Sequence, residues 1–196
     1  MVMSNMKIVV ASGNKGKIRE IKQILEGYDI VTMKEIGFTE EPVEDGETFE
    51  ENALIKAKAV YDFCHLPCLA DDSGLCVTAL DNRPGVYSAR YSGGDDEDNN
   101  DLLLKELSDK TDRSAKYCCA IVLYAGEDKV FTAYGEATGH ILTERQGANG
   151  FGYDPLFYSD DLGMSFGVAD AQTKHTVSHR ARALKDLYAQ IKDKEL

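Results

Sequence analysis

The chain has 196 residues and a mass of 21.6 kDa, with 43% hydrophobic and 29% charged residues. This composition predicts a globular protein, either one large domain or two closely joined lobes, and argues against a disordered chain. The formal net charge of −12 argues against nucleic acid or an anionic membrane as a main partner, because both attract basic surfaces. A small anionic substrate remains compatible, provided that a few cations or a metal ion are gathered around it.

Two further features lead us to expect a cytoplasmic protein. Met1–Lys7 has no apolar stretch of signal-peptide length, and no run approaches the ~18–20 apolar residues of a transmembrane helix. The five cysteines are an odd number and stand mostly in apolar runs, which favours reduced core thiols. The grouping Cys64-His65-x-x-Cys68 leaves a zinc site as the alternative, although no second pair stands at zinc-site spacing.

In the first half of the chain, apolar periodicity predicts strands that alternate with helices. KIVVA (7–11) predicts a buried strand, and a helix near 15–26 follows it. A second helix is predicted over 48–64, where Thr48 and Glu51 form the capping-box pattern. The segment PCLADDSGLCVTAL predicts a strand, an acidic turn and a second strand.

The second half predicts paired strands and a final helix. YCCAIVLYA and KVFTAYGEATG flank Gly126-Glu127-Asp128, which predicts a hairpin. A glycine-rich loop, RQGANGFGYDP, precedes a last helix over SHRARALKDLYAQIKD with Ser178 as its N-cap. The acidic run Asp95-Asp96-Glu97-Asp98 lacks EF-hand spacing and predicts a solvated helix start. Since strands alternate with helices early and pair as a hairpin later, the predicted fold class is α/β with a mixed sheet.

The segment ASGNKGK (11–17) joins the first strand to the first helix, as a phosphate-binding loop does. It does not fit the P-loop pattern, because Gly13 and Gly16 are only three positions apart and Ile18 replaces the metal-binding hydroxyl. The residues alone therefore leave open what this loop binds.

The acidic pair Asp71-Asp72 lies between two apolar runs. A buried carboxylate is costly unless it is paired or bound to a cation, and Mg²⁺ takes carboxylate ligands together with substrate phosphates. An acidic turn in which either aspartate caps backbone N–H groups is the alternative.

Two cations fall on helix faces that should pack inward. Lys56 lies between Ala53 and Val60 on the inner stripe of the second helix, so it must either extend to solvent or meet an anion. Arg180 lies four residues before Leu184 at the start of the last helix, where the helix dipole also favours an anion.

The loop Phe151-Gly152-Tyr153-Asp154-Pro155 combines glycines, which allow close approach of a flat ligand, with aromatic faces that can stack on a base. A tight turn with a packed aromatic is the alternative. Taken together, the cations Lys17, Lys56 and Arg180, the acidic pair and this loop suit a nucleoside triphosphate and a divalent metal.

Six stretches in order resemble the inosine/xanthosine triphosphate pyrophosphatases, which remove non-standard purine nucleotides: SGNKGKIRE, EDGETFEENALIKA, LADDSGLCVTAL, RPGVYSARYSG, GFGYDPLF and SHRARAL. The resemblance covers essentially the whole chain. It implies an elongated mixed β-sheet with flanking helices, two lobes around a nucleotide-binding cleft within a single domain over 1–196, and usually a homodimer. It also implies Mg²⁺-dependent hydrolysis of ITP, dITP and XTP to the monophosphate and pyrophosphate. Mn²⁺ remains a possible substitute, because both ions suit oxygen sites.

By position, the resemblance assigns phosphate and metal contacts mainly to the first half of the chain. The family uses [ST]-G-N-x-x-K after its first strand as a triphosphate loop, so Asn14, Lys17 and backbone N–H groups would bind phosphates. Asp72 matches the acid that accepts a proton and binds Mg²⁺, Asp71 would support it, and Lys56 matches a helical lysine near the phosphates. The catalytic candidates are thus Asp72, Lys17, Lys56 and Asp71, and the substrate contacts of this half are Ser12, Gly13, Asn14, Lys15, Gly16, Lys17 and Ser73.

One departure affects the metal site. Some members place a metal-binding glutamate three residues before the glycine that matches Gly46, and this chain has Val43 there. Glu44 is the nearest substitute and is therefore expected to be the second ligand beside Asp72.

The base contacts are assigned to the second half. The loop residues Phe151, Gly152, Tyr153 and Asp154 would line the base, and Lys174, His179 and Arg180 match a tail segment that closes over the nucleotide. Preference for a 6-keto purine is expected from donors facing O6, supplied by the backbone N–H groups of 151–154 and by the His179-Arg180 pair. The alternatives are a related pyrophosphatase for other modified nucleotides, an inactive nucleotide sensor, and a structural protein that binds metal through the 95–98 run.

Overall fold

The computed structural model describes residues 6–196. Residues 1–5, on which part of the signal-peptide expectation rests, lie outside this range. Among the residues described, no helix combines the length and apolar character needed to cross a membrane.

The secondary structure follows the predicted alternation of strands and helices. The strands are β1 (Lys7–Val10), β2 (Asp29–Thr32), β3 (Cys68–Val77), β4 (Ser114–Tyr124), β5 (Val130–Ile141), β6 (Phe157–Ser159) and β7 (Met164–Ser165). The helices are α1 (Lys15–Ile24), α2 (Phe49–Cys64), α3 (Asp96–Glu106), α4 (Ala171–Val177) and α5 (His179–Ile191), with 3₁₀ turns at Thr78–Leu80 and Gly85–Arg90. The sequence did not predict β2, β6, β7 and α4, because two to four residues of strand and two turns of helix are too short for a periodic signal.

The strands form one mixed sheet in the order β2-β1-β3-β4-β5-β6-β7. β1 pairs in parallel with β2 and β3, while β6 pairs antiparallel with β5 and β7. The predicted α/β class with a mixed sheet is confirmed, and β4 and β5 are the neighbours that the hairpin prediction required.

The chain divides into two compact units, each with its own core. The first unit contains the chain up to Asp72, Ala120–Tyr134 and Ala181–Leu196, and the second contains Ser73–Cys119 and Gly135–Arg180. The first core joins β1, α2 and the start of β3 through buried residues that include Val9, Ala53, Ala57, Val60 and Cys68. The second core joins β3, α3 and the C-terminal strands through Leu75, Leu103, Tyr117, Phe157 and Phe166, among others.

Two helix starts confirm the capping patterns in the sequence. The Thr48 hydroxyl accepts from the Glu51 N–H at 3.1 Å, and the Glu51 carboxylate accepts in return from the Thr48 N–H at 3.1 Å. Asp95 caps α3 by accepting from the N–H groups of Glu97 and Asp98. The acidic run is therefore a helix start, as predicted.

The acidic turn predicted at Asp71-Asp72 is wrong, because β3 continues through both residues without interruption. Their side chains are only 2% and 13% exposed. Buried carboxylates are tolerated in a strand interior only when cationic or hydrogen-bonding partners reach them, and the partners lie on α1 and α2, far away in sequence.

The five cysteines are free thiols, and all except Cys64 are buried, which confirms the core prediction. The Cys64 and Cys68 sulfurs lie 3.6 Å apart, and burial raises the pKa of the Cys68 thiol. Within residues 6–196, no three metal-ligating side chains come together, so the zinc alternative lacks a ligand set.

Candidate functional site

The loop after β1 uses its own side chains to begin α1. Asn14 Oδ1 accepts from the N–H groups of Gly16 at 2.8 Å and Lys17 at 3.1 Å, and Ser12 Oγ accepts from the Asn14 N–H. Asn14 is thus the N-cap of α1. The cap accepts from Gly16 and Lys17, and Gly13 and Lys15 are exposed residues at the positive end of the helix dipole, where an anion is favoured.

Lys17, in the first turn of α1, reaches β3. Its ammonium lies 2.9 Å from Asp71 Oδ2. The Lys17 side chain is 19% exposed, whereas that of Asp71 is 2% exposed. Asp71 therefore fixes the position of a lysine whose charge still reaches solvent or a ligand.

Lys56 on α2 meets anions rather than extending to solvent. Its Nζ donates to the Asp71 carbonyl at 2.7 Å and to Glu44 Oε2 at 3.3 Å, and lies 3.8 Å from Asp72 Oδ1. The inward position that the helical stripe predicted is therefore confirmed. We refer to Lys17, Glu44, Asn52, Lys56, Asp71 and Asp72 as the lysine–aspartate cluster, and all of them belong to the first unit.

Asn52 orders this cluster and was not among the predicted site residues. It is 1% exposed, donates from Nδ2 to Asp72 Oδ2 at 3.1 Å and accepts from the Gly46 N–H at 2.9 Å. A Cβ atom at Gly46 would lie only 2.8 Å from Asn52 Oδ1, so the approach needs a glycine. Asn52 stands one turn before Lys56, and that helical spacing was the available signal.

Replacing Asn52 by leucine is expected to lower the free energy of unfolding by about 1–3 kcal/mol, because it removes the buried hydrogen bonds that Asn52 makes with the Gly46 N–H and with Asp72 Oδ2. Urea denaturation measures the change. An Asn52→Asp variant keeps the acceptor for Gly46 but places a second negative charge beside Asp72, so it should lose at least as much. Wild-type stability in both variants would contradict the positioning role.

The pKa of Asp72 reflects its burial inside the cluster. Burial is the main reason that its pKa is raised, and Glu44 raises it further, whereas Lys56, Asn52 and Lys17 lower it. Desolvation thus outweighs the favourable contacts, and the cluster favours an additional positive charge beside Asp72.

The cluster fits a divalent cation with oxygen ligands. Glu44 and Asp72 direct carboxylate oxygens at one ammonium, which shows that both can reach a single cation. Two carboxylates completed by substrate phosphates are a donor set typical of Mg²⁺. Val43, at the position where some relatives have glutamate, is largely exposed, whereas Glu44 contacts Lys56.

In the second unit, Asp154 is the centre of a buried network. Its carboxylate is almost fully buried and accepts from Lys174 Nζ at 2.5 Å, from the Phe151 N–H at 2.9 Å and from the Tyr117 hydroxyl at 3.2 Å. Gly150 has φ +78° and lies so close to this carboxylate that a side chain would overlap it. The loop 150–154 is therefore folded around Asp154.

The expectation that the backbone N–H groups of 151–154 face a ligand is wrong for three of the four residues. The Phe151 N–H donates to Asp154, the Gly152 N–H donates to Asp96 Oδ2 at 2.9 Å, and the Asp154 N–H donates to the Phe151 carbonyl at 3.2 Å. The reason is that a buried carboxylate and a tight turn need these donors themselves. The Tyr153 hydroxyl is also engaged, because it donates to the Ser88 carbonyl at 2.7 Å.

Side chains remain as candidates for contact with a base. Phe151 is 51% exposed, and the Lys174 ammonium lies 4.8 Å from the centre of its ring. The His179 ring stacks on Tyr117 at 4.9 Å with 10° between the planes, and Arg180 Nη2 lies 3.3 Å from Ser73 Oγ.

His179 and Arg180 are only 5% and 3% exposed, so the second unit holds them in fixed positions. The predicted site residues thus fall into two groups, one in each unit. Tyr117, missed from the sequence because it opens an apolar strand, contacts both Asp154 and His179.

Comparisons with known proteins identify the family of the chain. The chain matches the Ham1 family over residues 8–190. It is 47% identical over 184 residues to the dITP/XTP pyrophosphatase of Geobacter sulfurreducens, covering 91% of this chain and 92% of that protein. It is 41% identical over 192 residues to the dITP/XTP pyrophosphatase of Treponema denticola, covering 95% of this chain and 99% of that protein.

A solved structure extends the likeness to the fold. The Staphylococcus aureus Ham1 protein has a TM-score of 0.90 and 38% identity to this chain, covering 96% of this chain and all of the other. The predicted fold of a mixed sheet with flanking helices is confirmed, as is the resemblance carried by the six sequence stretches.

Proposed function

Because the chain belongs to the Ham1 family, we propose that it hydrolyses the non-standard purine nucleoside triphosphates ITP, dITP and XTP to the monophosphate and pyrophosphate, removing them from the nucleotide pool. The observation that carries the proposal is the lysine–aspartate cluster. It places two lysines and two buried aspartates directly beside a helix N-terminus that follows a strand. Relatives named dITP/XTP pyrophosphatase support the substrate class.

In this proposal the first unit binds the triphosphate. The Gly13 and Lys15 N–H groups and the ammonium groups of Lys17 and Lys56 would contact phosphate oxygens. Asp72 and Glu44 would hold Mg²⁺, or Mn²⁺ in its place. When bound, the ion would neutralise phosphate charge and make the α-phosphorus more electrophilic.

The chemical step is an in-line attack of water at the α-phosphorus. The bond between water oxygen and phosphorus forms as the bond to the bridging oxygen of pyrophosphate breaks, and the Asp72 carboxylate takes the proton lost by the water. Lys17 and Lys56 neutralise the charge that develops on the leaving pyrophosphate. Asp71 positions both lysines, through its carboxylate and its carbonyl oxygen respectively.

The second unit would recognise the base. Since three of the four loop N–H groups are engaged within the protein, selection of a 6-keto purine rests on side chains, namely His179 and Arg180. A 6-amino group would leave such a donor facing another donor, which is disfavoured. Phe151 offers an exposed face for stacking.

The proposal also covers the oligomeric state and the cellular location of the protein. The family resemblance supports a homodimer, which sedimentation velocity would detect as about twice the mass of the chain. The free, mostly buried cysteines support a reducing, cytoplasmic location.

Pyrophosphate release tests the function. We expect fast release from ITP, dITP and XTP in the presence of Mg²⁺, none with chelator, and slow release from ATP, GTP and CTP. Release from ATP as fast as from ITP would support the hydrolytic chemistry but contradict the proposed selection of the base. Tight ITP binding without release would place the protein among nucleotide sensors, and fast release from other modified nucleotides alone would favour the related-pyrophosphatase alternative.

A further inference from the structure

Helix α3 holds the loop that carries the base-contacting residues. The Gly152 N–H donates to Asp96 Oδ2 at 2.9 Å, and the Gly152 carbonyl accepts from Asn100 Nδ2 at 3.1 Å. Both backbone groups of one glycine are therefore bound by residues one helical turn apart. Gly152 has φ +60°, a conformation that few other residues adopt without strain. The two hydrogen bonds fix the orientation of its backbone N–H and carbonyl groups.

The start of the same loop is bound by the same helix. Arg145 Nε lies 2.9 Å from Glu97 Oε2, and Arg145 Nη2 lies 2.7 Å from Asp101 Oδ1. Residues 96, 97, 100 and 101 share one face of a helix, because positions four apart are neighbours. That face, which we call the α3 clamp, thus contacts the loop at both Arg145 and Gly152.

Asn100 is the buried member of the clamp, and its burial is not explained by stability. It is fully buried, and among residues 6–196 no donor reaches its Oδ1. An unpaired buried acceptor is destabilising, so leucine would serve the core at least as well. What leucine would not provide is the hydrogen bond to Gly152.

We propose that Asn100 and Asp96 are positioning residues that determine base selectivity by fixing Gly152 between Phe151 and Asp154. This inference rests on the proposed function, because it concerns the residues that would line the base. Phe151 offers the exposed ring, and Asp154 holds Lys174, so a shift of Gly152 displaces both.

The neighbouring Asn99 supplies a matched control. It is also buried on α3, but its hydrogen bonds go to Ser92 and to the Ala89 carbonyl rather than to the loop. Asn99→Leu therefore removes a buried amide from the same turn of the same helix while leaving the clamp intact. Asp96→Ala removes the carboxylate that accepts from the Gly152 N–H. Asp96→Asn retains an acceptor oxygen at this position and is the conservative variant that should restore the contact.

The experiment compares kcat/KM for dITP and dATP across these variants. We expect Asn100→Leu to keep or raise the melting temperature. It should also lower the ratio of kcat/KM for dITP to kcat/KM for dATP by about tenfold, mainly through a higher KM for dITP. Asp96→Ala should also lower this ratio, and Asp96→Asn should restore it. Asn99→Leu should melt lower and keep the wild-type preference. Undiminished preference in Asn100→Leu and Asp96→Ala, or an equal loss in Asn99→Leu, would overturn the proposal.

Hydrogen–deuterium exchange separates a failure of the clamp from a failure of the proposed function. Amides of 145–154 should exchange faster in Asn100→Leu than in Asn99→Leu, whatever the enzyme hydrolyses. If wild-type protein releases no pyrophosphate from dITP, the proposed function and the selectivity role both fall, and exchange still decides whether the clamp exists. Equal exchange in the two leucine variants would overturn the clamp itself.

Discussion

Asp72→Asn is expected to lower kcat/KM for dITP by about 10³-fold, because it removes the proton acceptor and one of the two carboxylates that would hold the metal. The amide keeps the shape of the side chain and an acceptor for Asn52, so the fold should persist. Pyrophosphate release under saturating Mg²⁺ measures the loss. Asp62→Asn is the matched control, since Asp62 is exposed and pairs with Lys58 on the outer face of α2. If Asp72→Asn turns over dITP nearly as fast as wild type, Asp72 is not needed for the reaction.

The same substitution should not reduce stability at neutral pH. The pKa of Asp72 is raised above its ordinary value of 3.8, chiefly by burial, so folding favours the protonated form. The contribution of this group to the free energy of unfolding therefore falls as pH rises from the ordinary value through the raised native value, and at pH 7 the ionised carboxylate is destabilising.

Asparagine has no charge to desolvate, so the variant should be at least as stable as wild type at pH 7 and should lose that advantage in acid. Urea denaturation at both pH values, with chelator present because a bound cation would stabilise the carboxylate, measures the effect. A variant clearly less stable than wild type at pH 7 would mean that hydrogen bonds, rather than desolvation, dominate at this position. A variant that loses activity but keeps its stability identifies a residue that serves catalysis rather than folding.

The sequence predicted most of the lysine–aspartate cluster because its members carry local signals. Lys56 stood on an apolar helical stripe, where a charge needs an explanation, and Asp71-Asp72 interrupted an apolar run. The error about β3 had the same origin. A carboxylate pair followed by Ser-Gly resembles a turn when only near neighbours are considered, and the partners that let the strand continue, Lys17 and Lys56, come from distant segments.

The second unit was predicted less completely because its key contacts are tertiary. Tyr117 lies in an apolar strand where nothing marks its hydroxyl, yet it bonds Asp154 and stacks on His179. The acidic run at the start of α3 was predicted as a solvated cap, which is correct for Asp95 and incomplete for Asp96. A carboxylate that caps a helix and one that holds a distant loop have the same local sequence pattern.

Lys56→Met is expected to lower both activity and stability, and the combination distinguishes it from Asp72→Asn. Removing a cation that would neutralise the leaving pyrophosphate should lower kcat/KM by about 10²-fold. Removing the partner of Glu44 and Asp72 should also lower the free energy of unfolding by about 2 kcal/mol, less than the ~3–5 kcal/mol typical of fully buried pairs because the Glu44 side chain is one-third exposed. Methionine keeps most of the apolar length of lysine, so the loss reports on charge rather than packing.

Lys58→Met is the control, because Lys58 lies two residues away on the same helix and forms an exposed pair with Asp62. It should change the free energy of unfolding by about 0.5 kcal/mol or less and leave turnover unchanged. Adding excess Mg²⁺ should restore part of the stability of Lys56→Met, since a cation between Glu44 and Asp72 would replace the missing ammonium. If Mg²⁺ stabilises neither wild type nor Lys56→Met, the two carboxylates do not share a cation, and the second metal ligand must be sought elsewhere than Glu44.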